Sequence, residues 1–418
     1  FITELGVSVV GGCCGTTPEH IRQVALRCRD LTPAARQPAF EPAAASLFTA
    51  VNFQQDTSFL VIGERTNAVG SKAFRDAMLA EDHDACLRNA TEQVKEGAHI
   101  LDLCVDYVGR DGVPDMDALA RKFAELVPAP LVLDSTEPQV LEAGLERIGG
   151  RAILNSANLE EGEDEGKRFD RVMTLAGEHG AAVVCLLIDE VGQATDVEWK
   201  LRIAHRIYDL AIEKYGLQAS DLFFDALTFP LVTGQEEQRG SAVATIEAIR
   251  RMKAELPGAN TVLGLSNVSW GVKPALRHVL NSVFLHECVE AGLDAAIVHA
   301  ARILPLNRID ERHREMCLDL IYDRRREGYD PLTELLTAFE DVQSAAVEKE
   351  DRSGWPVEER LKTRIIEGDR HGLEADLDEA LGSHSALEIV NEVLLGGMKV
   401  VGDLFASGEM QLPFVLQS

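Results

Sequence analysis

The sequence predicts an α/β protein whose main part is a closed (β/α)8 barrel, a TIM barrel, followed by an all-α helical bundle. Eight short apolar runs recur between residues 57 and 300, and the stretches between them carry apolar residues at helical spacing. Several of these stretches end in glycine, as helix C-termini often do. Strands that alternate with helices in this way favour a barrel over residues 57–325. An open doubly wound sheet is the alternative, because periodicity alone does not show closure.

The eight candidate strands share a predominance of branched apolar and aromatic residues. In chain order they are residues 59–63, 99–103, 130–134, 151–155, 183–189, 222–225, 262–267 and 295–299. Runs this short, separated by helical stretches, are typical of strands buried on both faces of a parallel sheet.

The residues before the barrel predict one strand, one helix and a linker. The apolar run VSVV (7–10) predicts a strand, and Pro18 near the start of residues 17–29 predicts a helix. Residues 31–45 contain three prolines and several alanines with little periodicity, which is the composition of a semi-rigid linker. We therefore expect a first segment at 1–30 and a linker at 31–56.

The residues after the barrel predict a polar connection at 326–350 and a small helical bundle at 351–418. The apolar residues of this last region recur every three or four positions, which indicates one core-facing stripe. The stripe consists of Leu361, Ile365, Leu387, Val390, Leu394, Met398, Val401 and Phe405.

Composition excludes some classes of partner. The 418 residues carry a formal net charge of −28, which repels a phosphate backbone and an anionic lipid surface. We therefore expect neither nucleic acid nor membrane partners. The chain has no apolar run of about 18 residues and no signal peptide, so we expect a cytoplasmic protein. Apart from the adjacent Cys13 and Cys14, its cysteines are scattered singly, and reduced thiols are expected.

A polar residue stands at or just after the end of every candidate strand. These residues are Glu64, Asp102, Asp134, Asn155, Asp189, Asp225, Asn267 and His299. The carboxyl ends of barrel strands surround the active site, so these side chains are candidate ligand-binding groups. Carboxylates and amides suit a neutral ligand rich in N–H donors better than a phosphate. For any single residue, capping of the next helix is the alternative.

Several segments resemble the pterin-binding, methyltetrahydrofolate domain of the cobalamin-dependent methionine synthase family. They are VIGERTNAVGSKAF (61–74), LDLCVDYVG (101–109), LDST (133–136), ILNSAN (153–158), LIDEVGQA (187–194), FFDALTF (223–229) and GLSNVSWG (264–271). In addition, VVGGCCGTTPEHI (9–21) is similar to the last strand and helix of that family's homocysteine-binding barrel. The segment MKVVGDLFASGEMQLPFVLQS (398–418) is similar to its cobalamin cap. The resemblance thus assigns residues 1–30, 57–325 and 351–418 to three domains.

The resemblance implies a function and site residues. It implies that the chain binds 5-methyltetrahydrofolate and transfers the N5 methyl group to cob(I)alamin in methionine synthesis from homocysteine. Asp134, Asn155 and Asp225 would hold the pterin ring. Asn267 would lie next to N5 and, with Asp134, would be catalytic. The supporting groups would be Glu64, Asp102, Asp106 and Asp189, and we expect Arg65 to form a structural ion pair.

The resemblance also implies two sites outside the barrel. Cys13 and Cys14 match two of three zinc ligands, so the zinc site would be partial, with the third ligand absent from this chain. On the residues alone, a buried or inert cysteine pair is the alternative. Phe405 and Leu412 match residues that cover cobalamin, which would be bound mainly by a domain absent from this chain. Ordinary bundle core is the alternative for both.

Two other functions remain open at this stage. The barrel could be a folate-binding or interdomain scaffold without catalysis. It could also be a pterin-forming synthase, which uses the same kind of barrel, but that reaction would need a basic pyrophosphate-binding set at the barrel mouth.

Overall fold

The computed structural model describes residues 1–35, 41–56, 58–233, 235–340, 352, 354–370 and 372–406. The chain divides into two units, Phe1–Glu41 and Pro42–Ser418. In the described part of the chain, no helix combines the length and apolar composition needed to cross a membrane.

The first unit contains two helices, α1 (Ile2–Leu5) and α2 (Pro18–Cys28), so the predicted helix is confirmed. The predicted strand at 7–10 is wrong, because these residues are irregular. A strand needs a neighbour for its N–H and C=O groups. Among residues 1–35 no segment pairs with this run, and Val9 is 88% exposed.

The second unit contains the barrel, which closes with eight parallel strands in sequence order. The strands are β1 (Leu60–Gly63), β2 (Ile100–Cys104), β3 (Leu131–Asp134), β4 (Ile153–Ala157), β5 (Ala182–Leu186), β6 (Leu222–Asp225), β7 (Asn260–Gly264) and β8 (Ala295–Val298). Closure occurs where Val298 of β8 pairs with Gly63 of β1. The predicted (β/α)8 barrel is therefore confirmed, and the open sheet is excluded.

The barrel helices surround the strands. They are α3 (Lys72–Leu79), α4 (His83–Lys95), α5 (Gly112–Leu126), α6 (Pro138–Leu145), α7 (Arg168–His179), α8 (Val197–Glu213), α9 (Ser241–Glu255), α10 (Pro274–Glu290) and α11 (Glu311–Ile321). Side-chain caps start several of them: Asp82 accepts from the Ala85 N–H at 2.9 Å, and Asp196 accepts from the Trp199 N–H at 2.9 Å. Large apolar side chains fill the space between the helices and the strands.

A hairpin covers the amino-terminal end of the barrel. Residues Ala43–Ala45 pair antiparallel with Ala50–Asn52, and the Arg151 guanidinium, just before β4, donates to the Ala43 carbonyl at 3.0 Å. Phe53 is fully buried and meets the Phe223 ring edge-on, with the ring centroids 4.8 Å apart. Residues 43–53 thus differ from the linker expected at 31–56. The small side chains of Ala43–Ala45 let this backbone lie close to the start of β4, where the Ala45 N–H donates to the Arg151 carbonyl at 2.9 Å.

Helices also follow the barrel. Helix α12 (Pro331–Ala338) lies within the expected connection at 326–350. The later helices are α13 (Val357–Glu367), α14 (Leu373–Leu381), α15 (Ala386–Glu388) and α16 (Leu395–Ala406), with a π-helical turn at Ile389–Leu394. The predicted all-helical region is confirmed for the described residues.

The predicted apolar stripe of this helical region needs one correction. Leu361 and Val401 are fully buried as expected, but Leu387 and Val390 are 70% and 46% exposed. The π-helical turn changes the helical periodicity, so that Ile389 is buried instead. Leu412 and the side chain of Phe405, the predicted cobalamin-cap residues, lie outside the described residues.

Candidate active site at the barrel mouth

Most of the predicted strand-end residues meet at the carboxyl ends of the barrel strands. Asp102, Asp134, Asn155 and Asp225 lie on the last positions of β2, β3, β4 and β6 or close to them. Glu64 and Asn267 lie on short 3₁₀ helices, Glu64–Thr66 and Leu265–Ser269, that follow β1 and β7. Hydrogen bonds place most of these residues in three clusters, around Asn67, around the loop after β6, and around Ser266.

The first group is built around Asn67, which the sequence analysis did not single out. Its side-chain Nδ2 donates to Asp102 Oδ2 and to Asp134 Oδ2, both at 2.8 Å. Burial and the neighbouring Asp134 charge raise the pKa of Asp102 well above its usual range. Burial and the Asp106 charge raise the pKa of Asp134 to about 7. Asp102 and Asp134 thus share one amide donor, and their removal from water makes the ionised form of each carboxyl group less stable.

One oxygen of this group has no hydrogen-bond partner among the described residues. Asp102 is 1% exposed, and its Oδ1 atom accepts no hydrogen bond from the described residues. A buried oxygen without a donor costs free energy. This oxygen can therefore accept a hydrogen bond from a ligand.

Asp106 and Arg168 lie beside the first group. Asp106 accepts from the Ser135 hydroxyl at 2.7 Å and from the Thr136 N–H at 2.9 Å. The Arg168 guanidinium donates to the Ser135 and Ser156 carbonyls, each at 3.1 Å. Arg168 is thus a cation that fixes the ends of two neighbouring strands, and its charge lowers the pKa of Asp134 against the stronger effect of burial.

The second group contains Asp225 and Asn267. Asp225 accepts from the Leu227 N–H at 2.8 Å and from the Gly264 N–H at 3.3 Å, while burial raises its pKa to about 6. The Asn267 side-chain amide donates to the Thr228 carbonyl. Asn267 is exposed at the mouth, and this hydrogen bond occupies its amide nitrogen.

Glu64 and Ser266 connect β1 to the loop after β7. The Ser266 hydroxyl donates to Glu64 Oε2 at 2.9 Å, and the Arg277 guanidinium donates to the Ser266 carbonyl at 3.2 Å. Burial raises the pKa of Glu64, while the Ser266 hydrogen bond and the Arg277 charge lower it in part. Glu64 therefore supports the segment that carries Asn267.

Asp189 and His299 differ from the other strand-end residues. Asp189 lies in a short hairpin beyond β5, where it accepts from the Val191 N–H at 3.0 Å and from Trp199 Nε1 at 2.8 Å. Both of its oxygens thus have partners within that loop and α8. His299 is half-buried, and burial lowers its pKa to about 4, which keeps it neutral.

Arg65 forms the ion pair that the sequence analysis expected. Its guanidinium nitrogens lie 3.3 Å from Glu92 Oε2 and 3.4 Å from Glu96 Oε1, both close to the end of α4. This pairing attaches the loop after β1 to the neighbouring helix.

The adjacent cysteines of the first unit differ in exposure from those of the barrel, and Cys28 in α2 is intermediate. Cys13 and Cys14 are exposed, and the described residues hold no group of three or more His, Cys, Asp or Glu side chains placed to bind a metal ion. Zinc sites in proteins use three or four ligands, so any zinc here would need further ligands beside these two thiols. The cysteines of the barrel, by contrast, are all buried: Cys86, Cys104, Cys185, Cys288 and Cys317.

The sequence analysis missed three residues that organise the mouth: Asn67, Arg168 and Lys200. A signal existed for Asn67, because it ends the GERTN segment directly after the first strand, three positions from Glu64. Arg168 and Lys200 lie on helices with many other charged residues, and the sequence offers no signal that separates them.

Comparisons with known proteins agree with this architecture. A family model for pterin binding enzymes matches residues 63–299, which is more than half of the chain. The chain belongs to the pterin-binding enzyme family. A model for a B12 binding domain matches residues 357–418, and one for homocysteine S-methyltransferase matches residues 1–28.

The individual relatives are more specific. The chain is 58% identical to methionine synthase from Mycobacterium tuberculosis (strain ATCC 25618 / H37Rv) over 422 aligned residues, and 55% identical to methionine synthase from Mycobacterium leprae (strain TN) over 427. Both alignments cover 100% of this chain and 35% of the relative. The chain thus spans about a third of the length of these relatives, and the predicted family resemblance is confirmed.

Two solved structures of dihydropteroate synthase are also similar. The Xanthomonas albilineans enzyme gives a TM-score of 0.46 at 16% identity, covering 63% of this chain and 95% of that one. The Thermus thermophilus enzyme gives a TM-score of 0.43 at 20% identity, covering 62% and 96%.

Proposed function

We propose that the barrel binds 5-methyltetrahydrofolate and transfers its N5 methyl group to cob(I)alamin, as one step of methionine synthesis from homocysteine. The observation that carries this proposal is the set of carboxylates at the mouth, the buried Asp102 and Asp225 and the half-buried Asp134, together with the Asp102 oxygen that accepts no hydrogen bond from the described residues. The methionine synthase relatives support the choice of substrate.

The donor set fits a pterin. A pterin ring presents an amino group and ring N–H groups along one edge, and carboxylates accept such donors. Asp102 Oδ1 would gain a missing hydrogen bond, and Asp134 and Asp225 would be better compensated for their burial. Asn155 on β4 adds an amide that can both donate and accept. A phosphate or pyrophosphate ligand would instead be repelled by these charges.

The chemistry requires a proton at N5. The methyl group on N5 is a poor electrophile until N5 is protonated or strongly hydrogen-bonded, since otherwise the leaving nitrogen would carry a negative charge. Asn267 is proposed to lie beside N5, where its amide oxygen accepts from the N5–H as the transition state forms. Its hydrogen bond to the Thr228 carbonyl fixes the amide orientation beforehand. Asp134 would orient the ring, and its pKa of about 7 lets it hold a proton near neutral pH.

The proposal also includes cobalamin. Cob(I)alamin, when bound, supplies the nucleophile for the methyl group. We place it mainly in a cobalamin-binding domain of the full-length enzyme, with Phe405 and Leu412 of this chain covering its upper face. The B12 binding domain match at residues 357–418 supports that role.

Zinc enters the proposal through the first unit. We assign Cys13 and Cys14 as two ligands of a zinc ion that would activate the homocysteine sulfur. The homocysteine S-methyltransferase match at residues 1–28 and the exposure of both thiols support this assignment.

The test is a methyl-transfer assay with the chain, 5-methyltetrahydrofolate and free cob(I)alamin. Methylcobalamin is followed by its visible spectrum against a buffer control. We expect a rate above buffer that Asn267→Ala removes and that Asn307→Ala, a change at an exposed asparagine outside the strand-end ring, leaves unchanged. Folate binding without any protein-dependent rate would favour the non-catalytic scaffold instead.

A further inference from the structure

A lysine is buried behind the Asp225 loop, and the proposed reaction does not account for it. Lys200 on α8 is fully buried, and its Nζ donates to the Ala226 carbonyl at 2.5 Å. The same ammonium lies 5.1 Å from the centre of the Phe229 ring. A fully buried lysine is rare because its charge loses hydration, so a specific role is expected.

The loop that Lys200 contacts is the one that carries two groups of the site. Residues 225–228 begin at Asp225, the last residue of β6, and end at Thr228, whose carbonyl accepts from the Asn267 amide. Between them, Leu227 adopts a positive φ of 59°, a strained conformation for a residue with a side chain. Such a conformation persists only where surrounding contacts hold it.

The loop is held from two helices. Lys200 of α8 donates to the Ala226 carbonyl, and the Thr245 hydroxyl of α9 donates to the Leu227 carbonyl at 2.8 Å. The two donors differ in charge: Lys200 donates from an ammonium group and Thr245 from a neutral hydroxyl group. The pair therefore allows a positional effect to be separated from an electrostatic one.

The charge of Lys200 acts on Asp225. The Asp225 carboxylate accepts from the backbone N–H groups of Leu227 and Gly264, and the nearby Lys200 charge lowers its pKa against the larger effect of burial. In return, Asp225 and then Asp196, the residue that caps α8, raise the pKa of Lys200, which burial lowers to about 8. Both groups are thus mainly charged at pH 7.

We propose that Lys200 is a positioning residue for the pterin site, whose ammonium holds the 225–228 loop in place and keeps Asp225 ionised so that it can accept hydrogen bonds from the ring. This proposal rests on the proposed function. It extends the site behind the mouth, to a group that touches neither the ligand nor the reacting atoms.

The first experiment measures 5-methyltetrahydrofolate binding between pH 5 and 7.5 by calorimetry, in the wild type, Lys200→Met and Thr245→Val. Ionised Asp225 is one acceptor, so wild-type affinity should rise with pH through about 6, and Asp134, with a pKa of about 7, adds a second rise that is common to all three proteins. Without the cation the Asp225 pKa rises, and the midpoint in Lys200→Met should move up by about one pH unit. Thr245→Val should weaken binding at every pH and leave the midpoint unchanged.

The outcomes separate the two proposals. An unmoved midpoint in Lys200→Met, with binding retained, would overturn the role of Lys200 and leave the proposed function intact. Absence of binding by the wild type would overturn the proposed function and this proposal with it.

A second measurement does not require a change at the buried lysine, which could prevent folding. The ¹⁵Nζ signal of Lys200, recognised by its slow exchange with solvent, is titrated by NMR in the wild type and in Asp225→Asn. Removing the carboxylate should lower the titration midpoint of Lys200 from its wild-type value of about 8. Equal midpoints in the two proteins would show that the charges are not coupled and would refute the proposal.

Discussion

The two ends of the barrel differ in how their acidic side chains are paired. At the amino-terminal end, Arg151 pairs with Asp221 at 2.5 Å, and Lys253 pairs with Asp294 at 2.8 Å. Among the described residues, Asp102, Asp134 and Asp225 at the carboxyl end form no such ion pair. Instead, Asp102 and Asp134 accept from the Asn67 amide, and Asp225 accepts from backbone N–H groups.

We interpret this difference as a division of roles: the amino-terminal end of the barrel contributes to stability, and the mouth binds the ligand. The amino-terminal end is covered by the hairpin and Phe53, and its charged residues Arg151 and Lys253 are paired within the protein. The mouth retains carboxylates with raised pKa and an oxygen without a donor, which a folded protein would avoid without a reason. We interpret these carboxylates as acceptors for hydrogen bonds from a ligand. Changes at the two ends should therefore have separable consequences.

The largest effect is expected at the amino-terminal end. Phe53→Ala removes a fully buried ring from the barrel interior and should lower the free energy of unfolding by about 3–5 kcal/mol. Denaturant unfolding measures this loss, with Phe48→Ala, a change at a 59% exposed ring in the same hairpin, as the control. Folate affinity should be unchanged at temperatures where the variant is folded. A loss of folate binding free energy as large as the loss of stability would mean that changes at the amino-terminal end also act on the mouth.

The next effect lies at the mouth and concerns rate. Asn267→Ala removes the amide proposed to lie beside N5 and should lower kcat by about 10²-fold, a typical effect of removing one such group. Folate affinity should change by no more than about threefold, because the carboxylates hold the ring. Single-turnover kinetics and calorimetry measure the two quantities separately. A loss confined to affinity would contradict the role of Asn267 in the transition state.

A smaller effect of opposite sign is expected from Asp134→Asn. The pKa of Asp134 is about 7 in the folded protein and about 3.9 in an unfolded chain, so the folded state binds more protons between these values. Stability from this group therefore falls as pH rises from about 4 to 7. In the ligand-free protein, Asp134→Asn should raise the free energy of unfolding by about 1–2 kcal/mol at pH 8, and by less at pH 5.

The same variant should lose folate affinity, which makes it a direct test of the comparison. Asp209→Asn, on the exposed face of α8, is the matched control and should change neither stability nor affinity. If Asp134→Asn were destabilised at pH 8, the carboxylate would be satisfied within the protein, as at the other end.

The strands of the barrel could be predicted from sequence for a physical reason. In a closed parallel sheet both faces of each strand are buried, so every strand is a short apolar run, and a polar residue marks its end. The run at 7–10 shows the limit of this reasoning, because it has the same composition but no neighbouring strand within residues 1–35. The π-helical turn at Ile389–Leu394 shows a second limit. It changes which side chains of the helix are buried, and no residue type in the sequence predicts it.

The candidate site was predictable residue by residue but not as a network. Position in the chain identified Asp102, Asp134 and Asp225, but their partners come from distant segments. Asn67 lies 35 positions from Asp102 and 67 from Asp134, and only the register of the barrel brings the three together. Lys200 is a stronger case, because helical periodicity does not distinguish a buried lysine from a solvated one.

The smallest effect is expected from metal removal. Two exposed thiols are the only zinc ligands that we assign in the described residues, fewer than stable zinc sites use. The purified chain should therefore hold zinc well below one equivalent, and treatment with a chelator should leave folate affinity unchanged. Elemental analysis and calorimetry measure these quantities, with Cys13→Ser as a further control for adventitious binding. Stoichiometric zinc that is lost in Cys13→Ser would show that the chain completes the site with other ligands, and the zinc site would then be whole rather than partial.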